Sequence, residues 1–244
     1  MKIKTIGTGG VPAKQRSSCT LIDNKILIDC GNGIVKTLLE QDVDINKIDV
    51  LLITHLHGDH FLDLPSLIIQ RKIIQATNEL NIYCPKETEQ IVKGLLKYVN
   101  PDIKDWDKFK EVSKTNFIEF EKLENVEITK GYFVNSYEVI HGEFKPVYGF
   151  TLRKGTKSIG FSGDSIYCDS IETIVKETNI SILDMTYIDN INNKHMCVHD
   201  IENIIKRHNK KVIATHMNEQ TRQFGIELKN NKLIIPNDGD EFTI

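Results

Sequence analysis

The sequence predicts an α/β fold in which two mixed β-sheets are covered on their outer faces by helices. Strand-like and helix-like runs are interleaved in both halves of the chain. "DVLLIT", residues 49 to 54, is a nearly continuous apolar run of strand length, the pattern of a strand buried on both faces. The 244 residues, 40% hydrophobic and 27% charged, suffice to bury a full core, and no linker or composition shift divides them, so one domain spanning 1–244 is expected.

Taken in order, "KIKTIG", "CTLID" and "KILID" are short β-rich runs broken by Gly, Asp and Asn. "GIVKTLLEQ" then spaces its apolar residues at helical intervals, and "DVLLIT" follows as a central strand. "LDLPSLIIQRKIIQA" reads as a helix with Pro65 in its first turn, where a missing N–H costs little. "NIYCP" is a strand, "KETEQIVKGLLKYV" an amphipathic helix, and "PDIKDWDKFKEVS" a polar connector that caps the fold or reaches a neighbouring subunit. Strands follow at "NFIEFE", "VEITK", "YFVNSYEVIH", "YGFTLRK" and "KSIGFSGD". Helix "SIETIVKET", strand "ISILDMTY", helix "VHDIENIIKRH" and strand "KVIATH" precede the tail "LIIPNDGDEFTI".

Composition excludes several roles. Thirty-one basic against thirty-four acidic residues leave a net charge of −3, without the basic excess that long nucleic acid attracts. The five cysteines are scattered and never form C-x-x-C, which argues against a disulfide framework or a thiolate zinc site and fits a reducing compartment. The start "MKIKTIGTGG" lacks signal-peptide features, and no apolar run approaches the ~18 residues of a membrane span. A cytoplasmic protein without membrane attachment is expected.

Of eight histidines, several fall at the ends of expected strands: His55, His57 and His60 in "THLHGDH", His141 after "SYEVI", and His216 after "KVIAT". Asp164 closes "SIGFSGD" in the same way. Strand ends are where a rigid sheet meets loops, and sites are commonly built there. His55 and His57, two apart, share one side of extended backbone. Gly58 allows a sharp turn, after which Asp59 and His60 face a second position. One segment can thus serve two cations, and imidazole with carboxylate suits zinc, manganese or iron.

"HLHGDH" resembles the H-x-H-x-D-H motif of metallo-β-lactamase-fold hydrolases. "ILIDCG" with Asp29, then His141, "FSGD" with Asp164, "ATH" with His216 and the terminal "PNDGDEFTI" follow in that family's order. The resemblance implies an αββα sandwich carrying two divalent ions, zinc first, with manganese or iron as alternatives. His55, His57 and His141 would hold one ion, Asp59, His60 and His216 the other, with Asp164 bridging. Asp29 would orient a ligand histidine, or serve only as a turn residue before Gly31. The histidine at position 57, where flavodiiron relatives have glutamate, favours hydrolysis over redox chemistry.

The opening "IGTGGVPAKQRSS" resembles the start of ribonuclease Z and related phosphodiesterases, with Arg16 a candidate phosphate contact. His195 in "HMC" stands where that group has a histidine that protonates the leaving oxygen, so Asp59 and His195 are the catalytic candidates. "ILDMTY" replaces the group's H-E-A-T-F segment, leaving its Glu and His without equivalents. His141 and Asp164 are only 23 positions apart, room for two strands and a turn, so the tRNA-binding arm is absent.

The resemblance therefore points to a small phosphodiester, above all a 3′,5′-cyclic nucleotide opened to its monophosphate, as in anti-Pycsar phosphodiesterases that destroy cyclic mononucleotide immune signals. Such relatives are often homodimers. An RNA-processing nuclease of the ribonuclease Z type and a non-catalytic nucleotide sensor are the alternatives. Phe61, Phe144, Tyr148 and Tyr167 are candidate contacts for the base.

Overall fold

The computed structural model describes residues 1–228 and 230–244. Its first sheet is built from an antiparallel meander, β1 (Lys2–Gly7), β2 (Cys19–Ile22) and β3 (Ile26–Ile28), continued by three parallel strands, β4 (Val50–Leu52), β5 (Leu80–Pro85) and β6 (Thr115–Phe120). The second repeats this plan. β7 (Val126–Thr129), β8 (Tyr132–Glu138), β9 (Tyr148–Lys154) and β10 (Lys157–Phe161) form the meander, and β11 (Ile180–Asp184), β12 (Lys211–Thr215) and β13 (Leu233–Ile234) add the parallel strands. The last strand, β14 (Glu241–Thr243), returns to pair antiparallel with β1.

Three apolar layers hold the sheets and helices together, giving an αββα sandwich. Period-two alternation decides which residue joins which layer. In β4, Val50 and Leu52 enter the layer between the sheets with Ile26, Phe150, Ile182 and Ile213, while Leu51 faces the opposite side with Ile34, Leu67 and Leu96. That outer layer packs α1 (Ile34–Glu40), α3 (Leu64–Ile73) and α4 (Thr88–Val99) on the first sheet. On the second sheet α6 (Asp169–Glu177) and α7 (Val198–His208) bury Ile171, Ile174, Ile201 and Ile204 against Leu183 and Val212.

Parallel strands in each sheet send their carboxyl ends to one edge, so the loops after β4, β11 and β12 meet there. The 22 residues between His141 and Asp164 hold only β9, β10 and their connections, so no arm projects. Differences from the sequence reading arise where helices are short or irregularly patterned. Gly58 opens a one-turn helix, α2 (Gly58–Phe61), too short to show periodicity. The connector contains α5 (Trp106–Ser113), capped by Asp105 and seated through buried Phe109. Trp106 donates to Glu89 at 2.7 Å, which ties the segment to α4. A final helix, α8 (Glu219–Glu227), follows an Asn218 cap that the sequence reading passed over.

Phe150 is fully buried at the centre of the layer between the sheets. Replacing it with alanine is expected to lower stability by about 3–5 kcal/mol, read from urea unfolding, because the rigid surroundings collapse only partly around the void.

Candidate metal centre

The centre is assembled at the shared edge by the loops that leave β4, β8, β10 and β12. "THLHGDH" departs from β4 and is pinned to the loop after β3: Cys30 N donates to His60 O at 2.7 Å, and Asp63 N to Cys30 O at 3.0 Å. Gly31 permits this contact, since a Cβ there would lie 1.8 Å from Asp59 O. From the second sheet come His141 beyond β8, Asp164 beyond β10 and His216 beyond β12. His216 has φ +58°, a left-handed conformation disfavoured for a residue with a side chain and held here by its surroundings.

All seven candidate ligands are brought together. His55, His57, His141 and Asp164 form one group, Asp59, His60, Asp164 and His216 a second, each with its donor atoms within 4.8 Å of one another. Asp164 is common to both. Its Oδ1 lies 3.3 Å from His60 Nε2, and its Oδ2 lies 3.4 Å from His216 Nε2 and 3.8 Å from His55 Nε2.

Two features of the donor atoms fit divalent cations. His57 Nδ1 sits 3.1 Å from His55 Nε2 and 3.2 Å from His141 Nε2. His141 Nδ1 donates to Lys194 O at 2.8 Å, so its Nε2 carries a bare lone pair when the ring is neutral. Nitrogen lone pairs crowded at this distance repel unless a cation lies among them, and a tetrahedral ion with bonds of about 2.0–2.1 Å spaces its donors by about 3.3 Å. In the second group His60 Nδ1 donates to Asp29 Oδ2 at 2.8 Å, leaving Nε2 buried without a hydrogen-bond partner.

The electrostatics divide the two groups. Burial, aided by neighbouring imidazoles, pushes His55, His57 and His141 below the ordinary histidine value. Burial also disfavours charge on His60 and His216, but Asp164 with Asp29 outweighs it for His60, and Asp164 with Asp59 for His216, so both are raised. Asp59 and Asp164 lie below the carboxylate range, because the surrounding histidines overcome the opposing effect of burial.

Asp29 does more than turn the chain. It is buried, accepts Thr54 N at 2.8 Å and takes the His60 proton, so it orients a candidate ligand. Asp184, at the end of β11, corrects the expectation that "ILDMTY" lacks a carboxylate counterpart. Its Oδ2 accepts from His195 Nδ1 at 2.8 Å. The signal was available, since Asp184 closes a strand as Asp164 does. His195 lies over His216 at a centroid distance of 5.1 Å and beside His141 at 4.7 Å.

Asp164, Asp184, His195 and His216 form a third overlapping group, but a cation there would have to break the Asp184–His195 hydrogen bond. Arg16 pairs with Glu40 on the surface, outside the centre. Phe144 alone of the four aromatic candidates lies against the centre, its ring tilted 45° to that of His57 with the centroids 4.0 Å apart. Phe61 and Tyr148 are core residues, and Tyr167 hydrogen-bonds Glu172 on α6.

Fold and donor set together define a metal-dependent hydrolase of the metallo-β-lactamase fold, a phosphodiesterase. The Anti-Pycsar protein Apyc1 family model matches residues 1–237, and the chain belongs to that family. Ribonuclease Z of Methanococcus maripaludis strain C5 is 29% identical over 272 residues, covering 89% of this chain and 86% of the relative. Human tRNase Z, short form, superposes with a TM-score of 0.77 at 19% identity, covering 100% of this chain and 99% of that one. A diphosphatase of the PhnP family gives 0.75 at 20%, covering 100% and 97%. No helix among the described residues is long and apolar enough to cross a membrane.

The histidine shifts set a pH dependence for metal uptake. A ligand imidazole must be neutral, so raised His60 and His216 must lose protons to bind, whereas lowered His55, His57 and His141 are already neutral at pH 7. Zinc titration of metal-free protein in weak buffer should release protons from His60 and His216, in greater number as pH falls. Uptake without proton release at pH 7 would contradict this assignment.

Proposed function

We propose that the protein hydrolyses 3′,5′-cyclic nucleotides to nucleoside monophosphates with two divalent ions, zinc first. His55, His57, His141 and Asp164 would hold one, and Asp59, His60, Asp164 and His216 the other. Such ions lower the pKa of a water and neutralise charge on the phosphate when bound. Asp59, kept ionised by its histidine neighbours, accepts a hydrogen bond from the attacking water and aims it at phosphorus. Attack opposite the departing ribose oxygen breaks one P–O bond of the ring and leaves a monophosphate.

His195 then donates a proton to the departing oxygen. Its Nδ1 is committed to Asp184, which leaves Nε2 for this transfer. Phe144 offers an aromatic face for the base beside His57. The observation that carries the reading is the short connection between His141 and Asp164, which leaves the metal edge without an arm for a folded RNA. The family match agrees with this reading, and a net charge of −3 lacks the basic excess that long nucleic acid attracts. The proposed setting is the cytoplasm, where the five free thiols would stay reduced.

The reading includes a homodimer. Ile140 and Ile191 are exposed beside His141 and in the loop before His195, apolar surface that a second subunit would cover. The resemblance to ribonuclease Z supports one alternative, cleavage of precursor RNA near its 3′ end.

Metal-loaded protein should convert at least one of cyclic AMP, GMP, CMP and UMP to its monophosphate, faster than it cleaves precursor tRNA. Asp164→Ala should abolish turnover. Asp184→Asn and His195→Gln should each lower kcat by about 10²–10⁴. Loaded protein that turns over none of the four, or prefers precursor tRNA, sinks the proposal.

A further inference from the structure

The hydroxyls of Thr54 and Thr186 occupy corresponding places in the two halves of the centre. Each lies beyond a parallel strand, between a buried aspartate and a candidate ligand histidine. Thr54 Oγ1 is 2.8 Å from Asp29 Oδ2, 3.0 Å from Asp29 Oδ1 and 3.0 Å from His55 Nδ1. Thr186 Oγ1 is 2.6 Å from Asp184 Oδ1, 3.0 Å from His216 O and 2.8 Å from His216 Nδ1.

A hydroxyl has a single proton to give. Carboxylate and carbonyl oxygens only accept, so the proton of each threonine goes to them. The oxygen can then meet the histidine only as an acceptor, and the histidine must present Nδ1–H. Nδ1 is thereby excluded as a ligand atom, and the lone pair of a neutral ring is confined to Nε2. His55 Nε2 faces His57 and Asp164, and His216 Nε2 faces Asp59 at 3.0 Å and Asp164 at 3.4 Å.

Each aspartate also serves a second histidine through its Oδ2, Asp29 holding His60 and Asp184 holding His195. Backbone donors complete them: Thr54 N and Thr186 N both donate to Oδ1, and Ser165 N donates to Asp184 Oδ2. All four of these side chains are buried, so water cannot replace a missing hydroxyl freely.

We infer that Thr54 and Thr186 are positioning residues that fix the tautomers of His55 and His216, and that each thereby sets the cation affinity of a different half of the centre. The inference rests on the proposed two-ion reading. Removing the hydroxyl of Thr54 weakens the group of His55, His57 and His141 and takes one donor from Asp29, which keeps Thr54 N and so still holds His60 for the other group. Removing that of Thr186 does the reverse and also loosens Asp184. A partner outside the ligand shell is typically worth about 10–100-fold in metal affinity.

The experiment compares wild type with Thr54→Val, Thr54→Ser, Thr186→Val and Thr186→Ser. Zinc affinity and stoichiometry are measured by competition with a chromophoric chelator. Valine keeps the shape of threonine without the hydroxyl, and serine keeps the hydroxyl. Each valine variant should hold one of two ions about 10–100-fold more weakly, and each serine variant should bind as wild type does. Valine variants that bind both ions as tightly as wild type overturn the inference.

Nitrogen-detected NMR of metal-free wild type at pH 8 provides a separate readout that needs neither metal nor a folded valine variant. His55 should carry its proton on Nδ1, and a proton on Nε2 overturns the inference. Wild type that binds fewer than two ions contradicts the two-ion reading instead, and the His55 tautomer still decides the role of Thr54.

Discussion

The constraint on which the centre depends is that five imidazoles and two carboxylates share a buried pocket in which few partners can donate to them. For His55, His60, His141 and His216, the nitrogen that faces the middle of this cluster is aimed by a contact on the far side of its ring. Asp29, Thr54, Thr186 and the Lys194 carbonyl supply those contacts. Asp29, Thr54 and Thr186 have fixed positions because they sit just beyond strands of the two sheets, while the Lys194 carbonyl comes from the loop before α7. A shift of one strand would move a whole set of ligands together.

The two sheets share one plan, a meander followed by parallel strands, and the site is where the carboxyl ends of both plans meet. Each half contributes a buried aspartate that holds a histidine by Nδ1, Asp29 for His60 and Asp184 for His195. The outcomes differ in consequence. His60 turns Nε2 toward Asp59 and Asp164 inside the donor set, while His195 lies over His216 at the rim, partly exposed. Similar local chemistry thus holds the proposed ligand in one half and the proposed proton donor in the other.

The αββα architecture and the donor set were legible because both are written in local patterns. "DVLLIT" is apolar throughout since both its faces are buried, and "HLHGDH" concentrates four ligand-type residues directly after it. His141, Asp164 and His216 stand out by their places at strand ends. Asp184 was harder to read, because its meaning comes from His195, eleven positions later across a loop. Thr54 and Thr186 carry no signal, as hydroxyl residues are common and their geometry exists only after folding. Phe144 could not be chosen over Phe61, Tyr148 or Tyr167 by nearness to ligands in sequence, since only the fold decides which ring faces the edge. Helices α5 and α8 lie in polar segments where capping by Asp105 and Asn218 matters more than an apolar stripe.

The central claim is that Asp164 is shared by two cations held in separate groups. Anomalous diffraction from a crystal of zinc-loaded protein tests it most directly. Two peaks are expected on either side of Asp164, one within reach of His55, His57 and His141 and the other of Asp59, His60 and His216. A single peak, or one lodged between Asp184 and His195, would contradict the account.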